Sequence, residues 1–265
     1  KACIESIRSI SEPLDLKIEH LTKNINSPYS EFNAIQLGDT ALYFSSLRLV
    51  VAESANSIFP GVYVSKIYRS TMSIAGYSEG KEMSQLINNP ETHNANFCFS
   101  PDKKRLYFTR CKNERKPQLS CEIWVSEMNN DRWKKPERLT RRINAPGVST
   151  THPFITTFNE GEILYFSTDR AGGYGGMDVW YSVYDNGKYY DPVNLGSNIN
   201  TQGNEITPFY DFKTSTLYFS SDWHPGLGGY DIFSSKGGLN QWGSVINVGY
   251  PLNSAANDLY FNIIE

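Results

Sequence analysis

The chain has 265 residues, of which 39% are hydrophobic, 14% aromatic and 20% charged, so it is too apolar for a disordered protein and long enough to bury a substantial core. Its formal net charge of −3 excludes an overall basic field that would attract nucleic acid. No apolar run approaches the roughly 18 residues of a membrane span, so we expect no transmembrane segment and a soluble piece of a longer protein.

The chain contains an internal repeat. Residues 1–13 stand outside it: Ile4, Ile7 and Ile10 have helical spacing, and we interpret this stretch as the tail of a preceding helical domain. Leu-Tyr-Phe followed by Ser or Thr then occurs at Leu42–Ser45, Leu106–Thr109, Leu164–Ser167 and Leu217–Ser220. An Asn with an aliphatic residue five positions before it recurs at Asn26, Asn144, Asn200 and Asn253. Self-similarity of this kind is typical of repeat folds.

The clearest unit, residues 200–253, contains four short segments rich in strand-forming residues and separated by turn residues. They are Ile206–Tyr210, Thr216–Ser221, Asp231–Ser235 and Trp242–Val248. Four antiparallel strands in a period of roughly 53 to 62 residues are typical of a β-propeller blade. The repeat predicts blades at residues 26–87, 88–143, 144–199 and 200–252.

Both ends of the chain align with parts of a further blade. Asn257–Phe261 aligns with an innermost strand, and Leu14–Leu21 has the register of an outermost strand. We therefore predict one all-β domain over residues 1–265, a propeller of four-stranded blades, most simply five, closed by strands from both termini. The second and third strands of this fifth blade have no clear counterpart in the sequence.

Two segments resemble a known propeller type. Ser100-Pro101-Asp102 leads into a Leu-Tyr-Phe strand, and residues 163–180 read ILYFSTDRAGGYGGMDVW. Together with the connectors at residues 195–201 and 247–253, they resemble the WD-like repeats of TolB-type propellers in OmpA-family envelope proteins of Bacteroidota. The resemblance implies a non-enzymatic scaffold that binds envelope or secretion-system proteins, as in type IX secretion. It also implies a periplasmic location, with other domains attaching the full-length protein to the outer membrane or peptidoglycan.

The alternative is a carbohydrate-binding or glycan-processing propeller that uses the central channel. Glycoside hydrolysis requires two carboxyl groups that flank the scissile bond. Glu31, Glu205 and Asp258 begin inner strands and could converge at the channel mouth. Because they occupy a repeated position, we expect a structural role and no enzymatic activity.

No cofactor or metal ion is expected, because the few histidines show no ligand spacing. His93 and His152 begin inner strands and could face the channel, held there by hydrogen bonds. The glycine-rich loops at Gly172–Gly176 and Gly226–Gly229 lead into strands, whereas a phosphate loop leads into a helix. We therefore expect tight hairpins whose amides bind Asp178 and Asp231.

Cys111 and Cys121 bracket the loop between the second and third strands of blade 2. Because these strands pair, the two residues can form a disulfide that stabilises the domain by about 3 kcal/mol. Cys98 is predicted to be a buried thiol, and Cys3 to be unpaired. A disulfide fits an exported, oxidising compartment.

Blade 2 is basic. Residues 101–142 contain 13 Lys or Arg and six Asp or Glu, a local charge of +7, so the remainder has −10. The candidate protein-docking residues are Lys103, Lys104, Arg105, Lys112, Arg115, Lys116, Lys134, Lys135, Arg141 and Arg142. They would form one basic face for an acidic protein, lipid headgroup or anionic glycan, or an ordinary solvated surface.

Overall fold

The computed structural model describes residues 7, 10–50, 62–113, 119–239 and 241–264. It confirms an all-β propeller and shows four antiparallel blades. Each blade lies within the boundaries that the repeat predicts. Of the predicted helical tail, Ile7, Ile10 and Ser11 are described and are helical, and the other residues up to position 9 lie outside the described part.

The strands are numbered in chain order. Blade 1 consists of β1 (Ser30–Leu37), β2 (Ala41–Val50), β3 (Val62–Ser73), β4 (Gly76–Tyr77) and β5 (Lys81–Glu82). Blade 2 consists of β6 (His93–Phe99), β7 (Arg105–Asn113), β8 (Leu119–Asn129), β9 (Arg132–Trp133) and β10 (Glu137–Arg138). Blade 3 consists of β11 (Thr150–Phe158), β12 (Gly161–Thr168), β13 (Asp178–Asp185), β14 (Lys188–Tyr189) and β15 (Val193–Asn194). Blade 4 consists of β16 (Glu205–Asp211), β17 (Thr216–Ser221), β18 (Asp231–Gly238), β19 (Gln241–Trp242) and β20 (Ile246–Asn247).

In every blade the fourth strand is split into two short pieces that both pair with the third strand. Between the pieces, a serine hydroxyl of the third strand donates to a backbone carbonyl of the fourth. Ser182 Oγ donates to the carbonyl of Tyr190 at 2.6 Å, and Ser70, Ser126 and Ser235 make the same contact in the other blades. Two residues after Tyr190, Pro192 has no N–H to donate, so the ladder is interrupted there.

The Leu-Tyr-Phe segments form the second strands. In blades 2 and 3 these strands are buried on both faces, because a neighbouring blade covers each side. Leu106 and Phe108 pack toward blade 1, whereas Tyr107 packs toward blade 3. A strand that is apolar on both faces reads as a continuous apolar run. This burial explains why the repeat is easiest to recognise at these positions.

The Asn that directly follows each predicted blade binds the third strand of that blade. Asn144, Asn200 and Asn253 belong to the predicted repeat, whereas Asn88 was not among its positions. In blade 3, Asn200 Oδ1 accepts from the N–H of Val179 at 2.8 Å, and Asn200 Nδ2 donates to the Val179 carbonyl at 2.9 Å. Asn88, Asn144 and Asn253 bind Ile67, Ile123 and Ile232 in the same two-point way. We call this contact the Asn clasp. It satisfies the buried N–H of the clasped residue and adds a second donor to its carbonyl, which also accepts from a backbone N–H, as Leu195 N donates to Val179 O at 3.2 Å.

The predicted fifth blade is present only in part. Residues 257–264 occupy the inner position between blades 4 and 1, where Asp258 N donates to Tyr230 O at 2.7 Å and Asn262 Nδ2 to Ala34 O at 2.8 Å. Neither these residues nor Leu14–Leu21 belongs to a described sheet. The ring is therefore closed by extended chain, without the strand ladder that the sequence predicted at this place. Among the described residues no helix is long and apolar enough to cross a membrane.

Candidate ligand-binding cavity

Each inner strand turns at one residue that has a positive φ. These residues are Asn33, Asn96, His152, Thr207 and Tyr260, with φ between 50° and 62°. In the four blades the pairing register shifts at this point, which is the mark of a β-bulge. Bulges change the direction of side chains, and here they place five side chains around the channel.

Tyr260 reaches across the channel from the closing segment to the opposite blades. Its hydroxyl donates to Asn96 Oδ1 at 2.7 Å and lies 3.4 Å from His152 Nε2. Its ring also lies 5.4 Å from that of Phe32 in blade 1. Asn96 Nδ2 continues the network by donating to Thr151 Oγ1 at 3.2 Å. The channel is therefore closed at this level by side chains.

Burial shifts the pKa values of the two titratable groups of this network, His152 and Tyr260. It lowers the pKa of His152 to about 3, so the imidazole is neutral at ordinary pH. It raises the pKa of Tyr260, so the hydroxyl keeps its proton. Because this proton is directed at Asn96, the hydroxyl oxygen is available to His152 Nε2–H. His152 Nδ1 then has no hydrogen-bond partner among the described residues.

A cavity of about 390 Å³ extends from this plug toward the turns that follow the inner strands. Three phenyl rings from blade 3, blade 4 and the closing segment form one wall: Phe154 and Phe209 lie 5.0 Å apart, and Phe209 and Phe261 6.2 Å. Polar groups line the rest, including Asn33, Gln36, Asp39, Lys103 and Asn262. The wall is apolar and the rim offers hydrogen-bond donors, acceptors and both signs of charge.

The three carboxylates that were candidates for catalysis do not line this cavity. Glu205 accepts hydrogen bonds from Thr201 N and Thr201 Oγ1, four residues earlier, at 2.7 and 2.6 Å. Glu31 binds Ser27 and Asp258 binds Ser254 in the same way. They close the loops that enter the inner strands, as the repeated position suggested. Burial raises the pKa of Glu205 although these hydrogen bonds oppose the shift.

The two candidate histidines have different surroundings. His152 lines the cavity, whereas His93 lies between blades 1 and 2 and accepts from Ser65 N at 3.3 Å. Burial lowers the pKa of His93, and the nearby Lys66 lowers it further. In the described part of the chain no three His, Cys, Asp or Glu side chains form a group that could hold a metal ion.

The glycine-rich loops are closed by aspartates, as predicted. Asp178 accepts from Tyr174 N and Gly175 N, and Asp231 accepts from Leu227 N and Gly228 N. A Cβ on Gly226 would lie 2.2 Å from the Asp231 carboxylate, so the chain approaches too closely there for a side chain. These contacts use the loop amides that a phosphate would need.

The predicted disulfide between Cys111 and Cys121 is present and joins directly paired residues of β7 and β8, with a Cα–Cα distance of 4.1 Å. Cys98 is a buried thiol, and burial raises its pKa to about 12. Cys3 lies outside the described residues.

The basic residues of blade 2 differ in their positions and in their partners. Lys104 directly precedes β7, and Lys112 lies near the last residue of this strand. Because they are eight residues apart along the strand, about 26 Å separates them. Three of the ten are paired with carboxylates: Arg105 with Glu162, Lys134 with Glu127 and Arg142 with Asp191. Lys103, Lys104, Lys112, Lys135 and Arg141 are exposed, and Arg115 and Lys116 lie outside the described residues. Docking through these residues stays a prediction.

Comparisons with known proteins identify the fold. No protein-family model matches the chain, and no curated protein matches it significantly. The fold is similar to that of a thermostable family-43 glycoside hydrolase, with a TM-score of 0.53 and 10% identity over 87% of this chain and 76% of that one. An exo-β-1,3-galactanase from Clostridium thermocellum has a TM-score of 0.50 and 12% identity over 84% of this chain and 48% of its own. A puromycin-hydrolysing peptidase from Mycobacterium tuberculosis, with a TM-score of 0.45 and 11% identity over 83% of this chain, is covered over 39% of its length.

These comparisons contradict the first functional prediction, a protein-interaction scaffold in type IX secretion. The two solved propellers with TM-scores of 0.53 and 0.50 are glycoside hydrolases. At such low identity the similarity shows the fold alone. The chemical class of the ligand is therefore inferred from the residues that line the cavity.

Proposed function

We propose that the protein binds a neutral carbohydrate in the central cavity. The observation that supports this most directly is the wall of Phe154, Phe209 and Phe261, in a cavity that is also lined by the amide side chains of Asn33, Gln36 and Asn262. Sugars present an apolar face of C–H groups, which stacks on aromatic rings, and hydroxyl groups at their edges, which bind amides. The cavity volume of about 390 Å³ falls within the range of small-molecule sites.

Polar groups of the cavity retain free hydrogen-bonding capacity. Asn33 Nδ2 donates to Phe97 O at 2.9 Å and Gln36 Nε2 to Gly38 O at 3.1 Å, so each amide keeps its oxygen for a ligand hydroxyl. Lys103 adds a donor at the exposed rim. These groups are predominantly neutral, which supports an uncharged ligand.

Binding without hydrolysis is the finer part of the proposal. Among the described residues that line the cavity, Asp39 is the single carboxylate, and hydrolysis by the usual route needs two. Glu31, Glu205 and Asp258 are held in loop closures outside the cavity. Asp39 itself is exposed at a turn, where water competes for its contacts.

The test is a titration of the protein with neutral oligosaccharides, including β-1,3-galactan oligosaccharides, by calorimetry and ligand-observed NMR. Phe209→Leu removes a ring of the wall while keeping an apolar side chain, and we expect at least tenfold weaker binding. Phe212→Leu, on an exposed phenylalanine three residues away and outside the cavity, is the matched control. Absence of binding, or equal binding by both variants, would refute the proposal.

Release of reducing ends is measured in the same samples. Hydrolysis that disappears in Asp39→Asn would assign the protein to the glycan-processing class and overturn the non-hydrolytic part alone.

The disulfide supports an oxidising, exported compartment. A periplasmic, outer-membrane-associated location and the relationship to TolB-type propellers remain predictions from the resemblance.

A further inference from the structure

The cavity of the proposed carbohydrate site is closed at one end. Tyr260 spans the channel there, with its hydroxyl 2.7 Å from Asn96 Oδ1 and 3.4 Å from His152 Nε2. Thr207, which also lines the cavity, is buried, and its hydroxyl donates to Ser220 Oγ at 2.9 Å. Because these contacts hold side chains across the channel, a chain molecule that enters the cavity cannot pass through it.

The opposite end of the cavity lies at two exposed turns. Gly38 and Asp39 lie between β1 and β2, and Lys103 lies between β6 and β7; all three line the cavity and are exposed. The volume of about 390 Å³ lies in the lower part of the range of roughly 300–1,000 Å³ that is usual for small-molecule sites. A space of this size, open at one end, can hold one or two sugar units at the end of a chain.

The amide side chains of the cavity leave hydrogen-bond acceptors free. The amide nitrogens of Asn33, Gln36 and Asn262 each donate to a backbone carbonyl, at 2.9, 3.1 and 2.8 Å. Their amide oxygens have no donor among the described residues. Because an amide oxygen only accepts, the ligand has to supply the donors. A sugar unit at a chain end has one free hydroxyl more than a unit within the chain, and hydroxyl groups donate.

We propose that the cavity recognises the free end of a neutral glycan chain and excludes units within the chain. This inference rests on the proposed function and names the part of the carbohydrate that enters. The terminal unit stacks on the wall of Phe154, Phe209 and Phe261, and its hydroxyls donate to the three amide oxygens. The rest of the chain leaves the cavity past Lys103. A unit within the chain has a neighbour on both sides, and the closed end leaves no room for one of them.

The first experiment counts the proteins that bind to one long chain. A protein of 265 residues has an expected diameter of roughly 47 Å, from a radius of gyration of about 18 Å. The probe is a linear polymer at least four times as long, of β-1,3-galactan or of another neutral sugar that binds in the titration above. Calorimetry gives the number of proteins per chain. We expect this number to stay constant when the chain length is doubled. A number that rises with chain length overturns end recognition and leaves the proposed function intact.

Chemical modification then identifies the end that enters. Borohydride converts the reducing-end unit to an open-chain alditol and leaves the other end unchanged. Loss of binding would assign the reducing end and retained binding the non-reducing end, and both results support the proposal. Oligosaccharides with O-methylated terminal units at both ends should not bind, because methyl ethers cannot donate hydrogen bonds. Binding of these methylated chains with unchanged affinity would overturn the proposal.

Gln36→Met tests the free acceptors from the side of the protein. The change keeps the length of the side chain and removes the amide oxygen, so we expect roughly three- to tenfold weaker binding of short oligosaccharides. Gln202→Met, on an exposed glutamine outside the cavity, is the matched control. Equal affinities of the two variants would overturn the assignment of Gln36 as an acceptor. Absence of binding by every glycan tested overturns the proposed function, and this inference with it.

Discussion

The hydroxyl of Tyr260 donates a hydrogen bond of 2.7 Å to Oδ1 of Asn96, although the two residues are 164 positions apart in the chain. One belongs to the segment that closes the ring, and the other to the inner strand of blade 2. This single contact therefore links the closing segment to the far side of the channel.

Tyr260→Phe should test this link. The change removes the donor and leaves Asn96 Oδ1 without it in a partly buried site, so we expect the free energy of unfolding to fall by about 1–3 kcal/mol. Urea denaturation measures the change. Tyr63→Phe, on an exposed tyrosine, is the control. Equal stability of both variants would show that the contact contributes nothing in solution.

His152 should make stability depend on pH. Its folded-state pKa of about 3 lies below the ordinary value of 6.5, so between these values the unfolded chain binds more protons than the folded one. Stability from this residue is complete above pH 6.5 and is lost as the pH falls, by up to about 1.4 kcal/mol per pH unit. Urea denaturation from pH 7 to pH 4 measures the slope.

The slope should become shallower in His152→Gln, because glutamine does not titrate. His20→Gln, on an exposed histidine, is the matched control and should retain the wild-type slope. Parallel slopes for wild type and His152→Gln would contradict the assignment of a buried neutral imidazole.

The disulfide should contribute measurably to stability. Replacing both Cys111 and Cys121 by Ser should lower the free energy of unfolding by about 2–3 kcal/mol, because the unfolded chain loses a constraint. A reductant should destabilise the wild type by a similar amount and leave the double variant unchanged. The buried Cys98 thiol, with its raised pKa, should not react with thiol reagents in either protein before unfolding. Reductant-insensitive stability of the wild type would contradict this prediction.

Asn200, which binds a third strand, and Asn26 should respond differently to the same substitution. Asn200→Ala leaves the buried N–H of Val179 unpaired and removes one of the two donors to its C=O, and we expect the free energy of unfolding to fall by about 1–3 kcal/mol. Asn26→Ala in the isolated protein should cost less than about 1 kcal/mol, because only the contact with Leu21 O is lost. Equal losses would mean that both asparagines already bind a third strand.

The four complete blades could be predicted because burial on two faces produces the same sequence pattern each time. Leu106, Tyr107 and Phe108 must all be apolar, and Asn144 must be an asparagine because its amide binds both backbone groups of one residue. The loop-closing carboxylates were also foreseeable. A Ser or Thr stands four residues before Glu31, Glu205 and Asp258, as a hydroxyl-to-carboxylate closure requires.

The cavity was harder to predict. The bulge residues have positive φ, yet they are Asn, Asn, His, Thr and Tyr, and no shared residue type indicates them. The role of Tyr260 depends on which blades lie opposite the closing segment, a property of the whole ring. The distance between Lys104 and Lys112 likewise follows from the length of β7, which the net charge of the segment does not express.

The contact of Asn262 with Ala34 has a consequence for biosynthesis. The two residues are 228 positions apart, and ribosomes add about 5–20 residues per second. The first inner strand is therefore translated roughly 11–46 s before the segment that contacts it. During that interval blade 1 is exposed at one flank while blades 2 to 4 can fold in turn. Completion of the channel is therefore a late event in synthesis, and the nascent chain should need protection of its first blade until then.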